Sequence, residues 1–321
     1  MKKVAISLTL AFLLVWLPVS ASAARYLVPG GEVIGLELGD STVTVAAFDE
    51  EIGHSAQAAG LRAGDCITKI DGKAISCAAD IQDALNKADG QVVLTVSRSG
   101  KEKTFKIHPV VTPEGPKLGV YLKQGVTGIG TVTWYDPETG RFGTLGHGVN
   151  SPDGKLLQLR QGTAYEASVI SVKKGRSGTP GQLMGVLDGE EPIGILEKNT
   201  NHGVFGTAQE AFEGEKLPVA QVSDIQTGKA TILSTVSDGE VQEYSVEILK
   251  IYPNQKNAGR NMLLRVTDSR LLEITGGIVQ GMSGSPIIQN GKLIGAVTHV
   301  LVNDPTTGYG IFIENMLDAA A

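Results

Sequence analysis

Only two cysteines, Cys66 and Cys77, occur in the 321 residues of this chain, and no C-x-x-C pair is present. That excludes a disulfide-dense scaffold and a zinc-ribbon type of site. The five histidines, His54, His108, His147, His202 and His299, are scattered and form no H-E-x-x-H, so neither a metal nor another cofactor is expected. Aromatic residues make up 5% against 41 glycines, a balance suited to turn-rich, mostly β structure with few helices. An excess of basic charge is missing too: the formal net charge is −6, which argues against nucleic acid as a partner. Long apolar runs are confined to the start, where Met1-Lys2-Lys3 precedes an apolar stretch over residues 4–17, then Pro18 and Ala21-Ser22-Ala23. This reads as an export signal over residues 1–23 with an A-x-A cleavage site, an uncleaved anchor being the alternative. The folded part is therefore expected outside the cytoplasmic membrane. The two cysteines are read as buried thiols, with a disulfide between them as the alternative in an exported protein.

What is present divides into two domains. The first is placed at residues 24–111. It contains strand-like runs at 33–38 and 43–48, the dipeptide Asp71-Gly72 that marks a tight hairpin, a helix over 78–88 with Ser76 as a possible cap, and closing strands at 92–96 and 104–107. The run Ala59-Gly60-Leu61-Arg62-Ala63-Gly64-Asp65-Cys66-Ile67-Thr68-Lys69-Ile70-Asp71-Gly72 resembles the PDZ domains found in bacterial proteases. The resemblance implies that a peptide adds as a strand to an open sheet edge. The loop expected to receive its end is Ile34-Gly35-Leu36-Glu37.

After a Pro/Gly-marked joint at residues 112–116, the second domain, residues 112–321, is a series of short strands broken by turns. They fall at 130–135, 166–172, 185–187, 231–235, 241–251, 261–266, 286–289 and 292–300, with Asn290-Gly291 as a two-residue hairpin signal. Regular spacing of this kind predicts a sandwich or barrel. Its most informative stretch is Gly276-Gly277-Ile278-Val279-Gln280-Gly281-Met282-Ser283-Gly284-Ser285-Pro286, a serine on a glycine-framed turn between apolar runs. A hydroxyl attacks a carbonyl usefully when a base takes its proton and backbone N–H groups face the oxyanion. Gly281 and Ser283 are the candidate donors. A Gly/Ser/Pro hairpin without chemistry is the alternative.

The turn resembles that of the chymotrypsin-like peptidases, Gly-Asp-Ser-Gly-Gly-Pro. Met282 stands where those have aspartate, which argues against activation by pairing with a freed N-terminus. His147, in Gly146-His147-Gly148, is the first choice of base because it follows the early strands. His299 and His202 are its rivals. Asp268 has the chain order His…Asp…Ser expected of an orienting carboxylate; Asp136, Asp188, Asp224 and Asp304 carry no better motivation.

The order of signal, PDZ and barrel, together with Arg25-Tyr26-Leu27-Val28-Pro29-Gly30-Gly31, the Gly-His-Gly and serine turns and Val302-Asn303-Asp304-Pro305-Thr306, resembles the SpoIVB peptidase family. That resemblance implies a PDZ domain followed by a chymotrypsin-like double β-barrel, with Ser283, His147 and Asp268 as catalytic residues. It also implies a self-processing signalling peptidase of endospore-forming bacteria, exported to the space between the forespore and mother-cell membranes. Its partners would be itself and a membrane-embedded inhibitor complex, whose cleavage releases an intramembrane protease that matures a sigma factor. A non-catalytic PDZ adaptor with a scaffold barrel is the reading from a different class, and a periplasmic quality-control protease is disfavoured because there the protease usually precedes the PDZ domain.

Overall fold

Alternation decides most of this chain. In the stretch from Gln242 to Ile251, Tyr244, Val246 and Ile248 are buried while Glu243 and Ser245 are exposed, the period-2 pattern of a strand with one face on a core. The computed structural model describes residues 25–151, 154–237, 239–254 and 259–321; the expected signal over residues 1–23 lies outside them.

The chain opens with β1 (Tyr26–Pro29) and the 16-residue β2 (Val33–Phe48). Then follow α1 (His54–Ala58), β3 (Cys66–Ile70), β4 (Lys73–Ala74), α2 (Ala78–Lys87), β5 (Val92–Arg98), β6 (Lys101–Ile107), β7 (Val110–Thr112) and β8 (Gly115–Lys117). Next come β9 (Val120–Asp136), β10 (Arg141–Thr144), β11 (Leu159–Lys173), β12 (Gln182–Thr200), β13 (Gly203–Ala208) and β14 (Leu217–Pro218). The last part holds β15 (Gly228–Ser234), β16 (Gln242–Ile251), β17 (Met262–Val266), α3 (Ser269–Thr275), β18 (Pro286–Gln289), β19 (Lys292–Leu301), β20 (Asp304–Phe312) and α4 (Ile313–Ala320).

Strands β9, β10, β13, β12, β11 and β2 form a first ring, closed by the pairing of β2 with β9. Strands β15, β16, β17, β20, β19 and β18 form a second closed barrel. The expected double barrel is therefore present. Both hairpin dipeptides turn as expected: Asp71 and Gly72 take φ of 48° and 78°, Asn290 and Gly291 51° and 72°, the paired left-handed geometry of a type I′ turn. Helix α2 buries Ile81 and Leu85; Cys77 occupies its cap position, and the Ser76 hydroxyl instead donates to Asp80 at 2.7 Å. Cys66 and Cys77 form no disulfide; Cys66 is buried as expected, whereas Cys77 is only half-buried.

The domain boundary differs from expectation. The first domain does not begin at residue 24, because β1 pairs with β9 and β14, and the first half of β2 pairs with β9 and β11 of the first barrel. Only the second half of β2 enters the PDZ unit, where Val43 and Thr44 pair with β3. The unit is thus inserted into the β2–β9 ribbon, and one strand serves two cores. Val43, Val45, Ile67, Leu94 and Leu118 belong to the PDZ core, whereas Ile34, Leu36 and Leu38 belong to the first barrel. Between them the register slips and Gly125 takes φ 86°, its Cα so near the Leu38 carbonyl that a Cβ would lie 2.1 Å from the oxygen.

Candidate active site

Ser283 sits where the two barrels meet. The residues before it come from the segment between α3 and β18, and strand β9 of the first barrel grips them. The Thr131 N–H donates to the Ser283 carbonyl at 3.1 Å, the Thr131 hydroxyl to the Gly281 carbonyl at 2.8 Å, and the Thr133 hydroxyl to the Gly284 carbonyl at 2.7 Å. Gly281 and Gly284 both have φ 100°, the left-handed region that favours glycine. A Cβ on Gly284 would stand 2.0 Å from the Thr131 carbonyl oxygen. With its carbonyls engaged, the turn leaves the N–H groups of Gly281 and Ser283 without an acceptor among the described residues. These are the two donors expected for an oxyanion.

His147 reaches the same cleft by an unusual backbone. After β10, Leu145 and Gly146 take φ of 68° and 67° in succession, and the Thr144 hydroxyl and Leu145 N–H both donate to the Thr131 carbonyl. The left-handed Leu145 costs on the order of 1–2 kcal/mol, offset by burial of its side chain against the barrel core. His147 Nδ1 lies 2.9 Å from the Gly148 carbonyl; as donor there it leaves Nε2 with its lone pair. Burial holds the imidazole below its ordinary pKa, so it is neutral and able to accept a proton near pH 7.

His299 is in the cleft as well, its ring centroid 5.4 Å from that of His147. Burial first, then the neighbouring His147 and Arg260, push its pKa down to about 4. The Ser283 hydroxyl donates to the Thr298 carbonyl at 2.9 Å, so the serine lies against β19, the strand that also carries His299. His202, the third rival, lies at the β12–β13 turn and is not among the residues lining the cleft.

Asp268 is not brought to His147. It is the N-cap of α3, its carboxylate accepting from the N–H groups of Arg270 and Leu271 and of Ser245, and pairing with the Arg270 guanidinium at 3.0 Å. Those bonds, Arg270 foremost, hold its pKa below the ordinary carboxylate value. The expectation of an orienting carboxylate at this position is corrected: an aspartate before Ser-Arg and an apolar run is also an N-cap signature, and here the cap claims it.

The expected peptide loop is corrected too. Ile34, Gly35, Leu36 and Glu37 are paired on one side with Gly130, Ile129, Gly128 and Thr127, and on the other with Glu166, Tyr165, Ala164 and Thr163. No edge remains there for a ligand strand. The open edge that runs beside α2 is instead the start of β9. Val120, Tyr121 and Leu122 pair on one side with Phe48, Ala47 and Val45. Beside them a groove of about 330 Å³ is lined by Ile81 and Leu85 of α2 together with Leu118, Gly119, Val120 and Leu122. Gly119 has φ 68° and lies so close to Ile52 that a Cβ would be 2.3 Å from its carbonyl oxygen. The sequence carries a signal for it in Leu118-Gly119-Val120-Tyr121-Leu122, a glycine opening an alternating run just past the 112–116 joint.

Residues 114–317 match the family described as SpoIVB peptidase S55, and residues 52–98 match a PDZ domain. Probable CtpA-like serine proteases of Staphylococcus aureus are 31% identical over 113 residues, 33% of this chain and 22% of theirs. The match thus spans about a fifth of the length of those curated relatives. Among solved structures, the active form of the Rv3671c protease from M. tuberculosis aligns with 61% of this chain and 75% of its own, at 16% identity and a TM-score of 0.38. The PDZ domain of an SdrC-like protein from Listeria monocytogenes aligns with 26% of this chain and 87% of its own, at 24% identity and a TM-score of 0.22.

Proposed function

The chain belongs to the SpoIVB peptidase S55 family and carries a PDZ domain, and on that premise we propose that it is a serine endopeptidase with Ser283 as nucleophile and His147 as base. The observation that supports this most is the gripped turn, which leaves two N–H groups free beside a serine that shares its cleft with a neutral imidazole. A scissile carbonyl oxygen would sit against the Gly281 and Ser283 N–H groups. The hydroxyl turns from Thr298 toward His147, gives its proton to Nε2 and attacks the carbonyl carbon. The protonated imidazole then hands that proton to the leaving amine, and water repeats the sequence on the acyl-enzyme. Gly148, through its carbonyl, holds the ring in the tautomer this needs. A neutral acceptor stabilises the imidazolium less than a carboxylate does, so slow turnover is expected.

Within this reading the enzyme is a self-processing signalling peptidase of endospore formation, exported to the space between the forespore and mother-cell membranes. It cuts itself and then a membrane-embedded inhibitor complex, freeing an intramembrane protease that matures a sigma factor. Family membership supports that role, and the groove beside α2 suits capture of a peptide strand. The test follows wild type and Ser283→Ala by intact mass over time. Fragments from the wild type alone, or a serine-directed phosphonate attached to Ser283, are the expected results. Equal fragmentation of both proteins overturns the assignment of the nucleophile. Neither fragments nor label would favour a non-catalytic PDZ adaptor.

A further inference from the structure

The cleft beside Ser283 has mostly aliphatic and uncharged walls. A hollow of about 420 Å³ is bounded by Leu38 and Val126 of the ribbon, Val149 beyond His147, and Ile278, Val279 and Val300 of the second barrel. Among the described residues, no aspartate, glutamate, lysine or arginine lines it. It adjoins a second hollow of about 530 Å³, the two sharing Leu36, Gly128 and Ile129 as walls. That second space is also lined by Met184 and Leu187, which are 50% and 53% exposed, and by one carboxylate, Glu37. More acidic residues gather around a separate hollow of about 740 Å³ that includes Glu166, Asp188, Glu190 and Glu210.

Resting on the serine-peptidase reading, we propose that this trough selects the substrate: it takes an aliphatic or aromatic side chain next to the scissile bond and lays a second apolar side chain of the same segment against Met184 and Leu187. Burying an apolar side chain there removes it from water at no polar cost. A charged side chain beside the scissile bond would lose its hydration and meet no aspartate, glutamate, lysine or arginine among the described residues of that wall, where the two histidines are neutral near pH 7. The half-buried Val300 and Ile129 set this chemistry, because they line the serine's hollow from opposite barrels. Segments with spaced apolar residues, such as those flanking a membrane span or exposed by local unfolding, fit the trough; runs of charge do not.

The experiment incubates the full chain, as wild type and as Ser283→Ala, with a mixture of unfolded proteins and reads the cut positions by mass spectrometry. The expected result is a set of Ser283-dependent cuts flanked by Leu, Ile, Val, Met or Phe, with charged residues depleted about tenfold or more. Ser283-dependent cuts flanked as often by charged residues overturn the trough proposal and leave the peptidase reading standing. Identical cuts from both proteins, or none from either, overturn that reading and this proposal with it. Val300→Glu is expected to lower kcat/KM for apolar peptides at least tenfold and to raise it for peptides with Lys or Arg at the same place. The surface pair Met184→Asp with Leu187→Asp serves as the second variant, because exposed positions tolerate the change. It is expected to raise KM for long substrates more than for short ones, and an unchanged KM removes the second hollow from the proposal.

Discussion

His147 takes its character from burial and from a main-chain carbonyl rather than from a carboxylate, and that has a pH signature. Both cleft histidines bind a proton less tightly in the folded chain than their ordinary value of 6.5, His299 with a pKa of about 4. A base must be neutral to act, so kcat/KM is expected to hold on the acid side to below pH 6.5 before falling; an inflection at or above 6.5 would contradict the burial. For stability the sign follows from which state takes up more protons. The unfolded chain protonates these imidazoles first, so stability is full above about pH 6.5 and declines as pH falls toward about 4. Most carboxylates titrate at or below the end of that window. Urea midpoints across it are expected to fall less steeply in His299→Gln than in wild type. Asp268 gives the complementary test. As a cap with a largely solvent-facing Arg270 partner, its change to Ala is expected to lower stability by about 1 kcal/mol while kcat/KM stays within about threefold. A loss approaching the roughly ten-thousandfold of a disrupted triad would restore Asp268 as the orienting group.

Strand β9 is the element that holds the serine turn in shape. Thr131→Val keeps the volume and the main-chain bond to Ser283 but deletes the hydroxyl that satisfies the Gly281 carbonyl. Without it the Gly281–Met282 peptide, which lies between the two peptides that carry the oxyanion donors, can rotate and carry them out of place. A fall in kcat of about ten- to a hundredfold is expected, below the full loss of a donor, with about 1–3 kcal/mol of stability lost to the unsatisfied carbonyl; steady-state kinetics and chemical denaturation on the same preparation measure both. The serine turn was legible because its glycines answer a local demand, as were Asp71-Gly72 and Asn290-Gly291. Helix α3 was not, because seven residues with two buried positions carry too little periodicity, and the aspartate that caps it was read as chemistry. Thr131 and Thr133 were invisible for another reason. Their role depends on contact with residues about 150 positions away, and nothing in an alternating strand marks which threonine meets a carbonyl.

At the scale of the whole molecule, an insertion governs the architecture, and the sequence hid it. Residues 33–38 and 43–48 both alternate as strands do, so nothing announces that one strand leaves a barrel core and enters a PDZ core between them. The consequence is mechanical. Strand β9 carries the PDZ edge beside α2 at Val120–Leu122, the cleft wall at Val126 and Ile129, and the serine grip at Thr131, in that order. The cores nevertheless divide cleanly, since the PDZ cluster contains no buried residue of the barrels. Leu38 and Val126 are cross-strand partners at the joint, close enough for a two-residue turn to close the ribbon. Replacing residues 40–124 by Asn-Gly is therefore expected to leave a folded double barrel in which Ser283 reacts with a phosphonate at a rate within about threefold of wild type, while capture of peptide strands is lost. Folding is read by circular dichroism and labelling by intact mass. A folded but unreactive barrel would show that Leu38, Val126 and the grip on the serine turn keep their places only when the PDZ end of the ribbon holds them, making that unit part of the catalytic machinery rather than a passenger on it.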